Sequence, residues 1–253
     1  MRKTAITLVL LLMVGGAAAQ NDERDARRLL RLVNQEREET GAPPLAWDER
    51  LAQAALPHAR LMAEHGELSH QFSGEPNLRA RIAATGLRFN DDAENVAYAD
   101  SVDEAHANLM RSPGHRANIL NPRTNAIGIV ALRKGERLYI VEDFALKLPE
   151  LSDEEVVQRV LAEFNRQRRA ARLPEVSLAG DLHGAACEMA RLDHVDTSPI
   201  HALKATSYVG FTTFAPDELP STLKERVHGS FSAIAIGACY AKSPNYPSGV
   251  TWV

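Results

Sequence analysis

Three polar residues interrupt otherwise apolar stretches: His70 in LSHQ, Glu94 in AENVA and His115 in SPGHRANIL. A plain core would carry leucine or valine at such places. Two neutral imidazoles can hold a divalent cation such as zinc, and a nearby carboxylate can act as base on a bound water. The three residues lie far apart in sequence, so only the fold can bring them together; the alternative is three unrelated surface groups. Each follows a device that sets direction: Gly66 before His70, an Asn90-Asp91-Asp92 turn before Glu94, and Pro113-Gly114 before His115. Proline fixes its own φ, and glycine admits backbone angles closed to other residues. The expectation is one solvent-reachable pocket holding His70, Glu94 and His115, with Asn95 and Ser112 among its lining.

The elements that must position these groups are legible in the apolar periodicity. Leu29, Leu30, Leu32 and Val33 form the apolar side of a helix from about Asp22 to Thr40, stopped by Gly41 and Pro43-Pro44. Asp48 is an N-cap for a second helix reaching His65, and His58 lies on its core side. A buried histidine bonded to backbone and a histidine at the edge of a site are both compatible with that phase. A short helix from Pro76 to Thr85 ends at Gly86, and Ser101 to Glu104 opens another in the pattern of a capping box. Two β-branched-rich runs, Ala126–Arg133 and Arg137–Ala145, flank Lys134-Gly135-Glu136 and read as a hairpin. Both faces of these strands are apolar, so helices are expected on both sides of the sheet. Glu142 and Asp143 break the second run, and solvation at a sheet edge explains them most simply.

The chain's start reads as an export signal over residues 1–19. Arg2 and Lys3 precede an apolar run from Ala5 to Val14, followed by small residues up to a cut before Gln20. The run is short for a bilayer span, and no other long apolar run follows. A secreted or periplasmic protein with no transmembrane segment after signal removal is expected. Removing Arg2 and Lys3 from the 29 basic residues leaves 27 against 33 acidic ones, a net −6. This balance argues against nucleic acid as a partner.

The stretches LVNQEREETGAPPLAWDERLAQAALPHARLMA, LSHQ, AENVA, LMRSPGHRANIL, AIGIV and YIVEDFA occur in an order that strongly resembles the CAP superfamily, also called SCP-like proteins, in its bacterial secreted form. The resemblance covers about Leu29 to Ala145. It implies an α/β (α+β) fold, an α-β-α sandwich with a cleft lined by two histidines and two glutamates. His70, Glu94 and His115 match three of those positions. The fourth, a glutamate in animal and plant members, falls at about Ser112.

The second half looks like a smaller, degenerate copy. NQEREETGAPPLAWDERLAQAA aligns without gaps to NRQRRAARLPEVSLAGDLHGAA at an offset of 131, and AIGIV resembles AIGAC. The expected layout is a CAP-like domain over residues 21–147 and a degenerate CAP-like domain over 152–253, with the same helices and strands but no polar cleft. In the copy Met189 stands where the first half has His58, and neither ENVA nor SPGH recurs. Cys187 and Cys239 fall on the helix and strand of the copy; a disulfide and two buried free thiols are both open.

Motifs of other chemistries fail on context. Ser221 to Lys224 matches S-x-x-K, but no K-T-G triplet accompanies it, and a helix start after Pro220 accounts for it. No H-E-x-x-H or G-x-S-x-G is present. The leading expectation is an extracellular ligand- or metal-binding module, with His70 and His115 as its metal ligands and zinc or another divalent cation as its cofactor. The alternatives are a metal-dependent hydrolase of extracellular peptide or cell-wall material, and a carrier of apolar lipids. A cation held by two imidazoles should be lost as pH falls through roughly 6.5, and Glu94 is expected to push that midpoint up.

Overall fold

The computed structural model describes residues 4–253, with side chains from Gln20 onward. The expected signal over 1–19 falls outside the described side chains. The chain divides into two compact units, Met1–Lys147 and Leu148–Val253. Among the described residues no helix is long and apolar enough to cross a membrane.

The first unit is a three-layer arrangement. Helix α1 (Thr4–Glu39) buries Ala26, Leu29, Val33 and Arg37 as one stripe at helical spacing. Arg37 is fully buried without a carboxylate. Its guanidinium donates instead to the carbonyl oxygens of Pro43, Ile119, Asn121 and Thr124, at 2.6–3.2 Å. This ties the loop leaving α1 to the end of the SPGHRANIL stretch and the segment after it. Helix α2 (Glu49–His65) starts on Asp48, whose side chain accepts from the Arg50 N–H, and stops at Gly66 in the left-handed conformation. Helix α3 is Leu78–Ala84, α4 is Val102–Arg111 and α5 is Pro113–Ile119.

The sheet has four strands in the order β1-β3-β4-β2. Strand β1 (Ala46–Trp47) runs parallel to β3 (Ala126–Lys134). Strand β4 (Arg137–Lys147) pairs antiparallel with both β3 and β2 (Phe89–Ala99). Alternate residues on a strand face opposite ways. Ala97, Ile129 and Ile140 pack against Leu29, Val33 and Leu109 of α1 and α4 on one face. Val96, Tyr139 and Val141 pack against Ala55, Ala59 and Met62 of α2 on the other. Gly128 on β3 is where α2 crosses closest: a Cβ there would overlap the backbone at Leu51 and Ala52.

Three local expectations need correction. The Asn-Asp-Asp stretch is not a turn; it lies inside β2, which carries a register shift between Phe89 and Asp92, so Glu94 sits on a strand. The Ser-Pro-Gly segment opens α5 with Pro113 in its first turn, where the absent proline N–H leaves no bond unmade. Gly114 does not take a positive φ, so its special freedom is unused. Glu142 and Asp143 are not at a sheet edge. Strand β4 is central, and both residues are fully buried.

The second unit opens with α6 (Asp153–Ala170), whose capping box between Ser152 and Glu155 closes in both directions. Next come β5 (Ser177–Asp181), α7 (His183–Leu192), a 3-10 turn at Ser198–Leu203, β6 (Thr212–Thr213), α8 (Ser221–Lys224), β7 (Ala233–Ile236), β8 (Cys239–Ala241) and β9 (Val250–Trp252). Instead of a four-stranded sheet it has a parallel pair, β5-β7, and a three-stranded sheet, β6-β9-β8. Its core gathers Val156, Val160, Phe164, Val176, Leu219 and Ile236. Cys187 and Cys239 form a disulfide with a Cα separation of 5.1 Å.

Local devices nevertheless recur, at the 131-residue offset for their helix-side residues and at a shorter one, 108 or 109, for the later partners. Asn34 exchanges two hydrogen bonds with the backbone of Leu45, and Asn165 does the same with Val176. Arg168 donates to the carbonyls of Pro174, Val227 and Gly229, much as Arg37 does to Pro43, Ile119 and Asn121. Gly237 lies against the backbone of Leu182 and His183 as Gly128 lies against Leu51 and Ala52.

Candidate functional site

The site is built on the edge strand β2, where consecutive residues point to opposite faces of the sheet. Glu94 faces α2 and α3, and Asn95 faces α5. Their direct cross-strand partners on β4 are Asp143 and Glu142.

On the α2 side lies a buried ionic cluster. Arg81, from α3, donates through Nη1 to Glu75 at 2.8 Å and through Nη2 to Oε2 of Glu94. His58, from α2, faces an acceptor at each nitrogen: the Glu75 carboxylate at 2.9 Å from Nδ1 and the Ser69 carbonyl at 2.8 Å from Nε2. A ring protonated at both nitrogens satisfies both. Burial alone would raise the Glu75 pKa, but the Phe72 N–H, Arg81 and His58 together hold it below the usual value. Burial would likewise lower Arg81, and its acidic neighbours outweigh it, the charge of Glu94 foremost. Asp143 accepts no hydrogen bond. Burial first, and then Glu94, push its pKa well up against the pull of Arg81, which favours the protonated form.

The outer groups are the two imidazoles. His70 hangs from the loop after α2, exposed, with Nδ1 3.0 Å from Oε1 of Glu94. A neutral ring therefore carries its proton on Nδ1, and Nε2 keeps the free lone pair. His115, from the first turn of α5, has its ring centroid 6.4 Å from that of His70. Its pKa is lowered by burial and then by the neighbouring His70, which keeps it neutral below the ordinary 6.5. Asn95 holds α5 in place: its side-chain amide donates to the His115 carbonyl at 3.2 Å and to Glu142 at 3.0 Å, and accepts from Asn118 at 2.9 Å. Among the described residues Glu142 has no other partner, and burial raises its pKa to about 7 against that one bond.

The structure thus brings His70, Glu94, Asn95 and His115 together. Ser112 stands at the junction of α4 and α5, and its side chain makes no capping bond. Among the described residues no group of three or more His, Cys, Asp or Glu side chains is arranged to hold a metal ion. The nitrogen donors present are His70 and His115. Glu94 stands behind His70, bonded to its Nδ1, in the place from which a carboxylate orients a metal-binding imidazole. His70 and His115, with ring centroids 6.4 Å apart, are the residues that would hold a cation here.

Sequence reasoning missed Glu75, Arg81 and the partnership of Glu142 with Asn95. Arg81 could have been found: it shares a helix face with Leu78 and Ile82, and a charge on an apolar stripe needs a buried partner. His58 combines its two readings, bonded to backbone and also part of the inner cluster. Glu75 lies outside any periodic element and carried no such signal.

The first unit is thus an α+β helix-sheet-helix domain in which a histidine pair lies beside a buried Arg-Glu cluster. Residues 30–144 match the model of the cysteine-rich secretory protein family, CAP, and form a CAP domain. The Bacillus subtilis protein YkwD is 29% identical over 110 residues, 43% of this chain and 43% of the relative. The membrane protein YlbC of the same organism is 31% identical over 110 residues, 43% of this chain and 32% of the relative. The match therefore spans less than half the length of these curated relatives. Among solved structures, an extracellular SCP-domain protein from Bacillus anthracis is similar at 25% identity with a TM-score of 0.46, covering 51% of this chain and 42% of the other.

Proposed function

We propose that the CAP domain is an exported ligand-binding module whose ligand-facing groups are His70 and His115, and that Leu148–Val253 is a degenerate CAP-like copy attached to it. The export reading rests on the Arg2-Lys3 start and the apolar run after it. The observation that carries the binding reading is the state of Glu94: both of its oxygens are engaged, one by Arg81 and one by His70. A general base needs a free oxygen aimed at the reacting water. Arg81 and His70 draw on both oxygens of Glu94 and hold its carboxylate to the task of orienting a ring, so the cluster supports fixed imidazoles over a hydrolase. Zinc or a similar divalent cation is the simplest ligand for two neighbouring imidazoles, and a bound cation would supply Lewis acidity to whatever group completes its coordination.

Zinc titration of the full chain by calorimetry at pH 7.5 should show one site. His115→Ala should weaken it by about tenfold or more, the loss that perturbed metal sites typically show. Because the His115 pKa is lowered, its share of the affinity should persist below pH 6.5 instead of fading above it. No zinc uptake by the unmodified protein would overturn the metal reading.

One observation favours a second reading, a carrier of apolar ligands. The second unit holds a cavity of about 210 Å³ lined by Val160, Phe164, Met189, Phe211, Phe231 and Val253 among others. Lipid retained on the purified chain in native mass spectrometry would support that reading over the first.

A further inference from the structure

Cys187 lies one helical turn after His183 on α7, so the two side chains share a face. The Cys187 sulfur is 3.5 Å from Nε2 of His183. His183 Nδ1 donates to the Ala238 carbonyl at 2.8 Å, which leaves Nε2 as the basic nitrogen facing the sulfur. Asp153 Oδ2 stands 3.6 Å from the same Nδ1, and Asp153 is itself held by the Tyr240 N–H at 2.9 Å. Sulfur and imidazole are thus arranged as a nucleophile and its base, with the Ala238 carbonyl orienting the ring and the Asp153 carboxylate close enough to favour its protonated form by charge. The sulfurs differ in exposure: Cys239 is buried among Ala186, Met189 and Trp252, whereas Cys187 and His183 reach solvent. At the 131-residue offset the first unit has Ala52 and Leu56 in place of His183 and Cys187, so this cluster is no remnant of the CAP pattern.

We infer that Cys187–Cys239 is an exchangeable disulfide, with Cys187 as the reactive sulfur, His183 as its proton partner and a thiol reductant as the co-reactant. An external thiolate attacks the accessible Cys187 sulfur. The disulfide bond breaks, and its electron pair leaves on Cys239, which takes a proton. A second external thiol attacks the outer sulfur of the mixed disulfide and releases Cys187 as a thiolate beside protonated His183. Two external thiols become one disulfide, and the protein disulfide gains two electrons and two protons. The reverse sequence transfers a disulfide to a partner dithiol. A thiolate next to an imidazolium forms below the ordinary thiol value of about 8.5. The only other charged side chain one turn along α7, Arg191, is tied to Glu188.

The test uses the folded full-length chain in reduced glutathione, followed by iodoacetamide and mass spectrometry. Without denaturant, Cys187 should be found glutathionylated and then free. At pH 7 Cys187 should be alkylated about tenfold faster than an ordinary thiol, the gain expected if its midpoint falls by about one pH unit from ~8.5. His183→Ala should remove that gain while leaving the circular dichroism unchanged, and His183→Asn gives an independent reading should the alanine variant fold poorly. A disulfide that glutathione opens only in denaturant, or Cys187 alkylation indifferent to both substitutions, overturns the inference.

Discussion

Arg81→Met should destabilise the first unit by about 3–5 kcal/mol, the loss seen when one partner of a buried ion pair is removed. Arg81 is almost wholly buried and lies between two carboxylates that are themselves buried, Glu75 and Glu94. Methionine keeps much of the volume but removes the cation. Glu94 would then lose its one full cation and keep His70, the more distant Nε2 of His58 at 4.0 Å and the Asp143 carboxyl, and Glu75 would retain His58 and the Phe72 N–H. Urea unfolding at pH 7 measures the loss. The triple variant with Glu75→Gln and Glu94→Gln should recover part of it, because no uncompensated charge then remains. A loss below about 1 kcal/mol, the range of exposed pairs, would show that water reaches the cluster.

Glu142→Gln should instead stabilise the protein, and only on the alkaline side. The native Glu142 pKa is about 7, against 4.5 for the unperturbed group. Between those values the native state holds a proton that the unfolded chain has released, so stability falls as pH rises through this window. Above pH 7 the accumulated penalty is of order 3 kcal/mol, because each pH unit between the two values contributes about 1.36 kcal/mol. Glutamine can still accept from Asn95 and carries no charge. The variant and the unmodified protein should therefore match near pH 4.5, and the variant should be more stable by about 2–3 kcal/mol at pH 8. His115 acts in the opposite sense: its lowered pKa makes stability rise with pH up to about 6.5. The difference between the two proteins, not either profile alone, isolates Glu142. A constant offset across the whole range would contradict the assignment.

The sequence made the helices and the central hairpin legible because periodicity and caps act locally. Asp48, Ser101 and Gly66 mark their ends as the structure has them. Strand β2 was hidden because Asn90, Asp91 and Asp92 have the composition of a turn; pairing with β4, which no local pattern announces, makes them a strand. The same pairing explains the misreading of Glu142 and Asp143, since edge and centre are properties of strand order. His70, Glu94 and His115 stand out in the sequence because each breaks an apolar pattern. The cation that balances Glu94 was missed because Arg81 is one arginine among several on a short helix. Its role follows from burial against β2, a long-range contact. The recurring Asn and Arg clamps were visible as an alignment, but the sheets of the second unit were not. There the strands are short, and much of the chain between α7 and β7 is irregular.

The central claim is that Glu94 fixes His70 through Nδ1 and turns Nε2 outward beside a neutral His115. Nitrogen-15 NMR of the histidine rings at pH 8 reports this directly. The claim predicts His70 protonated on Nδ1 and bare at Nε2, with zinc shifting Nε2 of His70 and a ring nitrogen of His115 while the His58 signals stay in place. A His70 ring bare at Nδ1, or zinc that leaves both outer rings unmoved, would contradict it.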